Sequence, residues 1–364
     1  MIIKEIIEEL ERTAPLRYQE SYDNSGLIIG NPEMDITKIL ICFDLTFEVI
    51  TEAIDRNAGL IISHHPVIFE PIKKINGKSN IEKIIIAAIQ NNIAVYAAHT
   101  SLDNAGEGIN SIMAKKIGLK NTRVLLPAKN SLRKLVTFCP IKHIDKVRNA
   151  IFEAGAGHIG EYDCCSYNIT GQGSFRASNK AKPFVGKKNQ LHFEDEIRFE
   201  TIYPVHIENN VINGLLKSHP YEEIAYDIYP LENTYPLFGA GLIGDLNKKI
   251  TATQFLSDLK KLLNLKCIKH NGSDNKSIKK VALCGGSGSF LIKQAITQGA
   301  DIFISAEFKH NHYVDYLNNI IIADIGHYES EHFAKDLIKS ILIKKFPKFA
   351  VEISKTEKNP VFYT

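Results

Sequence analysis

Lys38-Ile39-Leu40-Ile41-Cys42-Phe43, followed after one helix-length segment by Leu60-Ile61-Ile62-Ser63-His64-His65, gives the first half of the chain its character. Both are short β-branched runs of the kind that form buried strands, and between them Phe47, Ile50 and Ile54 fall on one helical face. Strand, helix and strand in this order make a β-α-β unit, the building block of parallel sheets. Working back, Ile3, Ile6, Ile7 and Leu10 give an opening amphipathic helix that Pro15 stops, and Gly26–Gly30 is a further short apolar run.

The same order of elements returns in the second half. Lys38–Phe43 matches Lys280–Gly285 and Ala58–Ser63 matches Ala300–Ser305, both at an offset of 242, with Leu291, Ile292, Ala295 and Ile296 as the apolar stripe between. Gly26–Gly30 has an echo in Gly241–Gly244. Val95–Asp103 matches Ala323–Glu331 at an offset of 228, each ending an apolar strand with His-x-x-x-carboxylate: His99 to Asp103, His327 to Glu331. The first half would then carry about fourteen extra residues at Pro66–Ser79. Five matches in one order predict an α/β fold, a duplicated α/β core of two related halves.

Between the halves the pattern changes. Leu132–Phe138, His143–Gly155, Tyr162–Thr170, Ile197–Tyr203, His206–Ser218 and Ile224–Tyr229 read as β-α-β-β-α-β, a ferredoxin-like α+β insert. The expected organisation is a first core half over 1–130, the insert over 131–232 and a second core half over 233–364. Gly171–Gln190, polar and rich in Gly, Ser, Asn and Lys, is expected to be a long mobile connection available for ligand or subunit contacts.

Composition narrows the function classes. The 364 residues are 44% hydrophobic and 23% charged, a globular and not a disordered balance. No window holds 18 unbroken apolar residues, and Met1 runs straight into an acidic amphipathic stretch, so neither a membrane span nor secretion is expected. A net charge of +3 from 44 basic and 41 acidic residues leaves no excess to coat a nucleic-acid backbone. Six cysteines without a Cys-x-x-Cys pair suit reduced thiols in the cytoplasm.

Five residues stand at or just beyond the ends of buried strands: His64, His65, Asp103, His327 and Glu331. Ligands of open α/β sheets gather at carboxyl ends of strands. Adjacent histidines point in divergent directions and so suit two neighbouring ions, which a carboxylate can bridge. The expected pairing puts His65 and Asp103 on one ion and His64 and His327 on the other, with Glu331 on both. Each residue alone has an ordinary alternative, a polar loop histidine, a turn-forming Asp or a helix-start Glu; it is their convergence that predicts metal. His99 is expected to orient Asp103 or face substrate. Glu307, at the repeat position of His65, could line the cleft or sit on a solvated face. Gly285-Gly286-Ser287-Gly288-Ser289 leaves a strand where bare amides could hold phosphate, but it lacks a P-loop Lys-Ser/Thr. No nucleophile elbow and no zinc-deaminase signature is present.

Tyr22-Asp23-Asn24-Ser25-Gly26-Leu27, Ile62-Ser63-His64-His65-Pro66, His99-Thr100-Ser101-Leu102-Asp103 and Gly326-His327-Tyr328-Glu329-Ser330-Glu331 resemble the signature blocks of the GTP cyclohydrolase I type 2 homologues, the NIF-three-like family. The insert, through its element order and His219-Pro220-Tyr221-Glu222-Glu223, resembles the PII/CutA-like domain of the longer bacterial members. Tyr22 stands where many members have Trp. The resemblance implies two divalent ions per chain on the same five ligands, with zinc, iron and manganese all compatible, and a homohexamer. Asp23 and Asn24 of the first block join Gly286 and Ser287 of the glycine turn as candidate substrate contacts. The reading that follows is a dinuclear metal-dependent hydrolase acting on a nucleotide or phosphoester through an activated water, no side chain being assigned as catalytic acid. The rival is a non-catalytic metal-binding or regulatory hexamer whose insert senses a ligand.

Overall fold

The computed structural model describes residues 1–272 and 276–364. The chain divides into two compact units, one formed by 1–127 with 236–364 and the other by 128–235.

In the first unit, the buried runs become the parallel centres of two sheets. Lys38–Cys42, Leu60–Ser63 and Ala94–Ala97 lie side by side and parallel, as do Ser277–Ser287, Ile302–Ala306 and Ile321–Asp324. The duplication extends to register: Ile39 faces Leu60 in the first sheet and Val281 faces Ile302 in the second, an offset of 242 on both strands. Crossover helices are capped by their own sequence. The Thr46 side chain accepts from Val49 N at the start of Phe47–Asp55, and Ser79 accepts from Glu82 N while donating to the Glu82 carboxylate at the start of Asn80–Gln90. These helices bury Val49, Ile50, Ala53, Ile84, Ile85 and Ala88 against the first sheet.

The flanks of the two sheets differ, which overturns one expected match. Gly26–Ile29 pairs antiparallel with Ala94–Ala97, at the third-strand side. Gly239–Thr251, which contains the supposed echo, pairs antiparallel with Ser277–Ser287, at the first-strand side. Two apolar runs bounded by glycine look alike in sequence whichever edge they join, so Gly26–Gly30 and Gly241–Gly244 are not equivalents. The sheets also exchange strands: Lys120–Pro127 joins the second sheet beside Gly239–Thr251, and Ala350–Ile353 joins the first beside Lys38–Cys42. Each sheet is therefore completed from the far segment of the chain, and the two segments are bound into one core.

The second unit has a four-stranded antiparallel sheet in the order Tyr167–Arg176, Leu191–Pro204, Leu132–Pro140, Tyr226–Leu231. Helices Ile144–Glu153 and Glu208–Ser218 contribute Val147, Ile151, Val211 and Leu215 to a core with Leu135, Cys139, Phe199 and Tyr203. The expected long connection is shorter than its composition suggested. Gly171 to Arg176 continue a strand and pair, residue for residue, with Glu196 back to Leu191. A ladder of backbone hydrogen bonds does not need apolar side chains, and a strand with one face away from the helices can carry Gly and Ser. Only 177–190 remains as a connection.

All six cysteines are free, and among the described residues no helix is long and apolar enough to cross a membrane.

Candidate metal centre

Strand ends of both sheets of the first unit bring one cluster together. His64 and His65 follow Leu60–Ser63, and the short helix Thr100–Asp103 follows Ala94–Ala97. Helix His327–Glu331 follows Ile321–Asp324. Glu331 Oε2 lies at the centre, 2.9 Å from His327 Nε2, 3.4 Å from His65 Nε2 and 3.7 Å from His64 Nε2. Asp103 Oδ1 is 3.7 Å from His64 Nε2, and the Nε2 atoms of His65 and His327 are 3.3 Å apart. His65 with His327 and Glu331, His64 with Asp103 and Glu331, and His64 with His65 and His99 each form a set that could hold an ion.

The pairing differs from the sequence expectation: His64 goes with Asp103, and His65 with His327. The reason lies in how the two rings leave the strand. The fully buried His64 turns inward and hydrogen-bonds Ala98 O through Nδ1 at 2.7 Å, towards the third strand that leads to Asp103. His65 turns outward, its Nδ1 held by Asp44 Oδ1 at 2.7 Å, and meets His327 from the other sheet.

Every imidazole here has its Nδ1 secured. His327 Nδ1 is 3.0 Å from Glu307 Oε1, and His99 Nδ1 is 2.6 Å from Asp23 Oδ1. Such partners fix ring orientation and tautomer and direct Nε2 toward a ligand position. Sequence reasoning missed Asp44 and left Glu307 open. The available signal was positional, because both lie just past the ends of core strands. Glu307 also holds a left-handed φ of 60°, a conformation that non-glycine residues adopt at a cost.

His99 does not orient Asp103; its partner is Asp23. That carboxylate is fully occupied, with Oδ2 accepting from Ser25 Oγ, Thr100 N and Thr100 Oγ1. Burial raises the Asp23 pKa, but His99 and the hydroxyls outweigh it and hold the group below the ordinary carboxylate range. Asp23 is thus a support for His99 and not a free substrate contact. Asn24 is similarly engaged, its Nδ2 donating to Ile68 O.

The glycine turn is not an open phosphate cradle either. Gly285 N donates to Asn110 Oδ1 at 2.8 Å, Gly286 N to Ser330 Oγ at 2.9 Å, and Gly288 N to Ser305 Oγ at 2.9 Å. Ser287 stays in the sheet, opposite Ala306. A Cβ at Gly286, where φ is +58°, would collide with Glu331 Oε1. The glycines make room for the central carboxylate.

Three buried polar atoms, His64 Nε2, Asp103 Oδ1 and Glu331 Oε2, have no hydrogen bond of acceptable geometry despite these short approaches. Leaving a buried polar group unsatisfied costs roughly 1–3 kcal/mol, so three in one spot indicate a site built for something else. The donor set, imidazole nitrogen and carboxylate oxygen, fits a divalent cation. Electrostatics agree at His64 and Glu331 and run against ligation at His65 and Asp103, which are held toward their protonated forms. Burial pushes His64 down to about 4, favouring the neutral ring that can ligate. Burial opposes charge on His65 too, but Asp44 and Glu331 raise it to about 10. Burial would raise Glu331, but three imidazoles hold it well below the usual range; Asp103, buried and beside Glu331, is pushed well above.

A family model for Duf34/NIF3 (NGG1p interacting factor 3) matches residues 1–360. The chain belongs to the Duf34/NIF3 family. Among its relatives is a GTP cyclohydrolase 1 type 2 homolog of Halalkalibacterium halodurans, 38% identical over 352 residues, which are 96% of this chain and 94% of that protein. A protein of the same name from Bacillus subtilis is 36% identical over 366 residues, 98% of this chain and 97% of that one. The fold is similar to a solved Bacillus cereus protein related to NIF3, with a TM-score of 0.86 and 35% identity over 100% of this chain and 99% of the other. As a Duf34/NIF3 protein, the chain presents a His/carboxylate cluster that could hold metal ions, assembled from both of its core sheets.

Proposed function

We propose that the chain is a dinuclear, divalent-metal-dependent hydrolase acting on a nucleotide or phosphoester. His64, Asp103 and Glu331 would hold one ion and His65, His327 and Glu331 the other, zinc, iron and manganese all suiting these donors. The observation that carries the proposal is the convergence of the three unsatisfied buried atoms, His64 Nε2, Asp103 Oδ1 and Glu331 Oε2. When bound, paired ions supply Lewis-acid polarisation and lower the pKa of water.

The chain's own residues supply the rest. Ala98 O, Asp44 and Glu307 fix three imidazoles with Nε2 toward the cluster. Glu331 offers one oxygen to both sets. A structural zinc site is closed by four protein ligands, whereas each set here has three, and the His65 and His327 side chains remain 25% and 33% exposed. That opening favours catalysis over a purely structural role. His99, beside His64 and His65 and able to join them in a third set, is held by Asp23 through Nδ1; we assign it to face the substrate. The working assembly we propose is a cytoplasmic homohexamer.

The relatives' name makes GTP the first substrate to try. Metal-reconstituted protein is incubated with GTP and the products are read by mass spectrometry, with Glu331→Ala as control. A ring-opened or formate-releasing product that vanishes in the variant supports a cyclohydrolase, and loss of phosphate alone supports a phosphohydrolase. Two bound ions with no turnover of GTP or of a phosphoester panel would overturn the hydrolase and favour the metal-binding or regulatory assembly.

A further inference from the structure

The His219-Pro220-Tyr221-Glu222-Glu223 stretch takes no part in the metal cluster, and the helices of the second unit cover only one face of its sheet. Residues alternate across a strand, so while Phe199 and Tyr203 enter the helix-covered core, Glu196 and Arg198 face the other side. There they lie opposite Gly171 and Ile169 on one neighbour, and Arg198 lies opposite Phe138 on the other.

That face is not flat. Residues 177–184 and 221–225, joined by Lys182 N donating to Glu222 Oε1 at 2.6 Å, line a half-open cavity of about 720 Å³ with the sheet. This size is ordinary for a small-molecule site and too small for a folded partner. Its walls are aromatic: the Phe175 and Phe184 rings lie 6.2 and 6.3 Å from the Tyr221 ring. Its floor is lowered by Gly173, where a Cβ would collide with Glu196 Oε2.

Two charged groups stand on this floor. Glu196, 8% exposed, accepts from Tyr221 OH at 2.8 Å through Oε1, and no hydrogen bond to Oε2 is found among the described residues. Arg198 uses Nε on Glu200, no hydrogen bond from its terminal nitrogens is found among the described residues, and its guanidinium sits 5.9 Å from the Phe138 ring centre. His219 locks the loop, with Nε2 donating to Phe138 O and Nδ1 accepting from Tyr221 N. A carboxylate acceptor and a guanidinium, two residues apart beside one aromatic cluster, ask for a flat ring that presents an N–H donor beside a carbonyl acceptor.

We propose that the second unit carries its own binding site for a planar heteroaromatic small molecule of guanine type, with Glu196 accepting a ring N–H, Arg198 donating to a carbonyl and the Phe175, Phe184 and Tyr221 cluster lining one side of the ring. The site does not depend on the metal centre and would make this unit a ligand sensor.

The test is calorimetric titration of the full-length protein with guanosine, and with adenosine for comparison. One guanosine site per chain is expected, persisting in Glu331→Gln, in which the metal cluster is disabled. Glu196→Gln can keep the Tyr221 hydrogen bond but turns the free acceptor into a donor, and should weaken guanosine at least about tenfold. Phe184→Ala, which removes a half-exposed wall, should weaken it less. No binding at about 1 mM, binding that survives Glu196→Gln but is lost in Glu331→Gln, or adenosine binding as tightly as guanosine would each overturn the proposal. So would a Phe184→Ala protein that changes its oligomeric mass while guanosine binding is untouched, because the face would then be covered by a second copy.

Discussion

The two core sheets share a frame and divide the work. At matched positions at or near the strand ends, the first sheet has Asp44, His64 and His65, and the second has Gly286, Ala306 and Glu307. Asp44 steadies a histidine of its own sheet, whereas Gly286 stays bare so that Glu331 fits. His65 reaches into the cluster, and its counterpart Glu307 instead steadies His327. The third strands diverge as well. His99 comes two residues after Ala97, but His327 comes three after Asp324, the extra residue being absorbed near Gly326 at φ +92°. A repeated backbone thus offers the same exits twice, and the side chains there specialise into ligand on one side and support or space on the other.

If that division holds, the variants should rank. Glu331 serves both sets, so Glu331→Ala should lose at least one of the two proposed ions outright, read by elemental analysis after dialysis; retention of both would break the central assignment. Gly286→Ala should come next, since its Cβ displaces the same carboxylate and must adopt a positive φ. A large loss of metal is expected there, with about 1–3 kcal/mol of destabilisation in a denaturant melt. Asp44→Asn and Glu307→Gln remove support without removing a ligand, and each should cost about 10–100-fold in metal affinity. Asp44 should be the more costly, being the less exposed at 37% against 55%. Equal affinity in wild type and Asp44→Asn would show that the strand end alone fixes His65.

How much of this could be read from the chain follows from the same physics. Buried parallel strands are continuous apolar runs, so Ile39–Phe43, Leu60–Ser63 and their partners at 281 and 302 stood out, and the polar residues just beyond them stood out in turn. Which histidine meets which carboxylate did not, because it depends on the direction in which each ring leaves the sheet and on the approach of the other sheet. Supports such as Asp44 and Asp23 are single acidic residues in turns, indistinguishable in sequence from ordinary turn formers. The strand over Gly171–Arg176 was hidden for another reason: with one face away from the helices, its pairing rests on backbone groups that every residue carries.

The smallest expected differences concern how each repeat is tied to its far segment. Glu52 and Gln294 occupy matched helical positions. Glu52, 6% exposed, accepts from Ser354 Oγ, Lys355 N and Thr356 N and Oγ1, and pairs with Arg56 at 2.7 Å, pinning the segment that follows Ala350–Ile353. Gln294 Nε2 donates to Leu125 O at 3.3 Å on Lys120–Pro127. One tie is charged and the other neutral. Burial raises the Glu52 pKa, but the hydrogen bonds around it outweigh burial and bring it from 4.5 down to about 2. A depressed folded-state pKa means that the stabilisation is complete above the unfolded value of 4.5 and is lost as pH falls through 2. Glu52→Gln should therefore lower stability near neutral pH by about 2 kcal/mol, a difference from wild type that shrinks between pH 4.5 and 2. Gln294→Ala should cost no more than about 1 kcal/mol and show no such convergence, since an amide does not titrate. Thermal melts of the three proteins across that pH range decide the matter. Parallel curves for wild type and Glu52→Gln would mean that the carboxylate is not what holds the C-terminal segment to the first sheet.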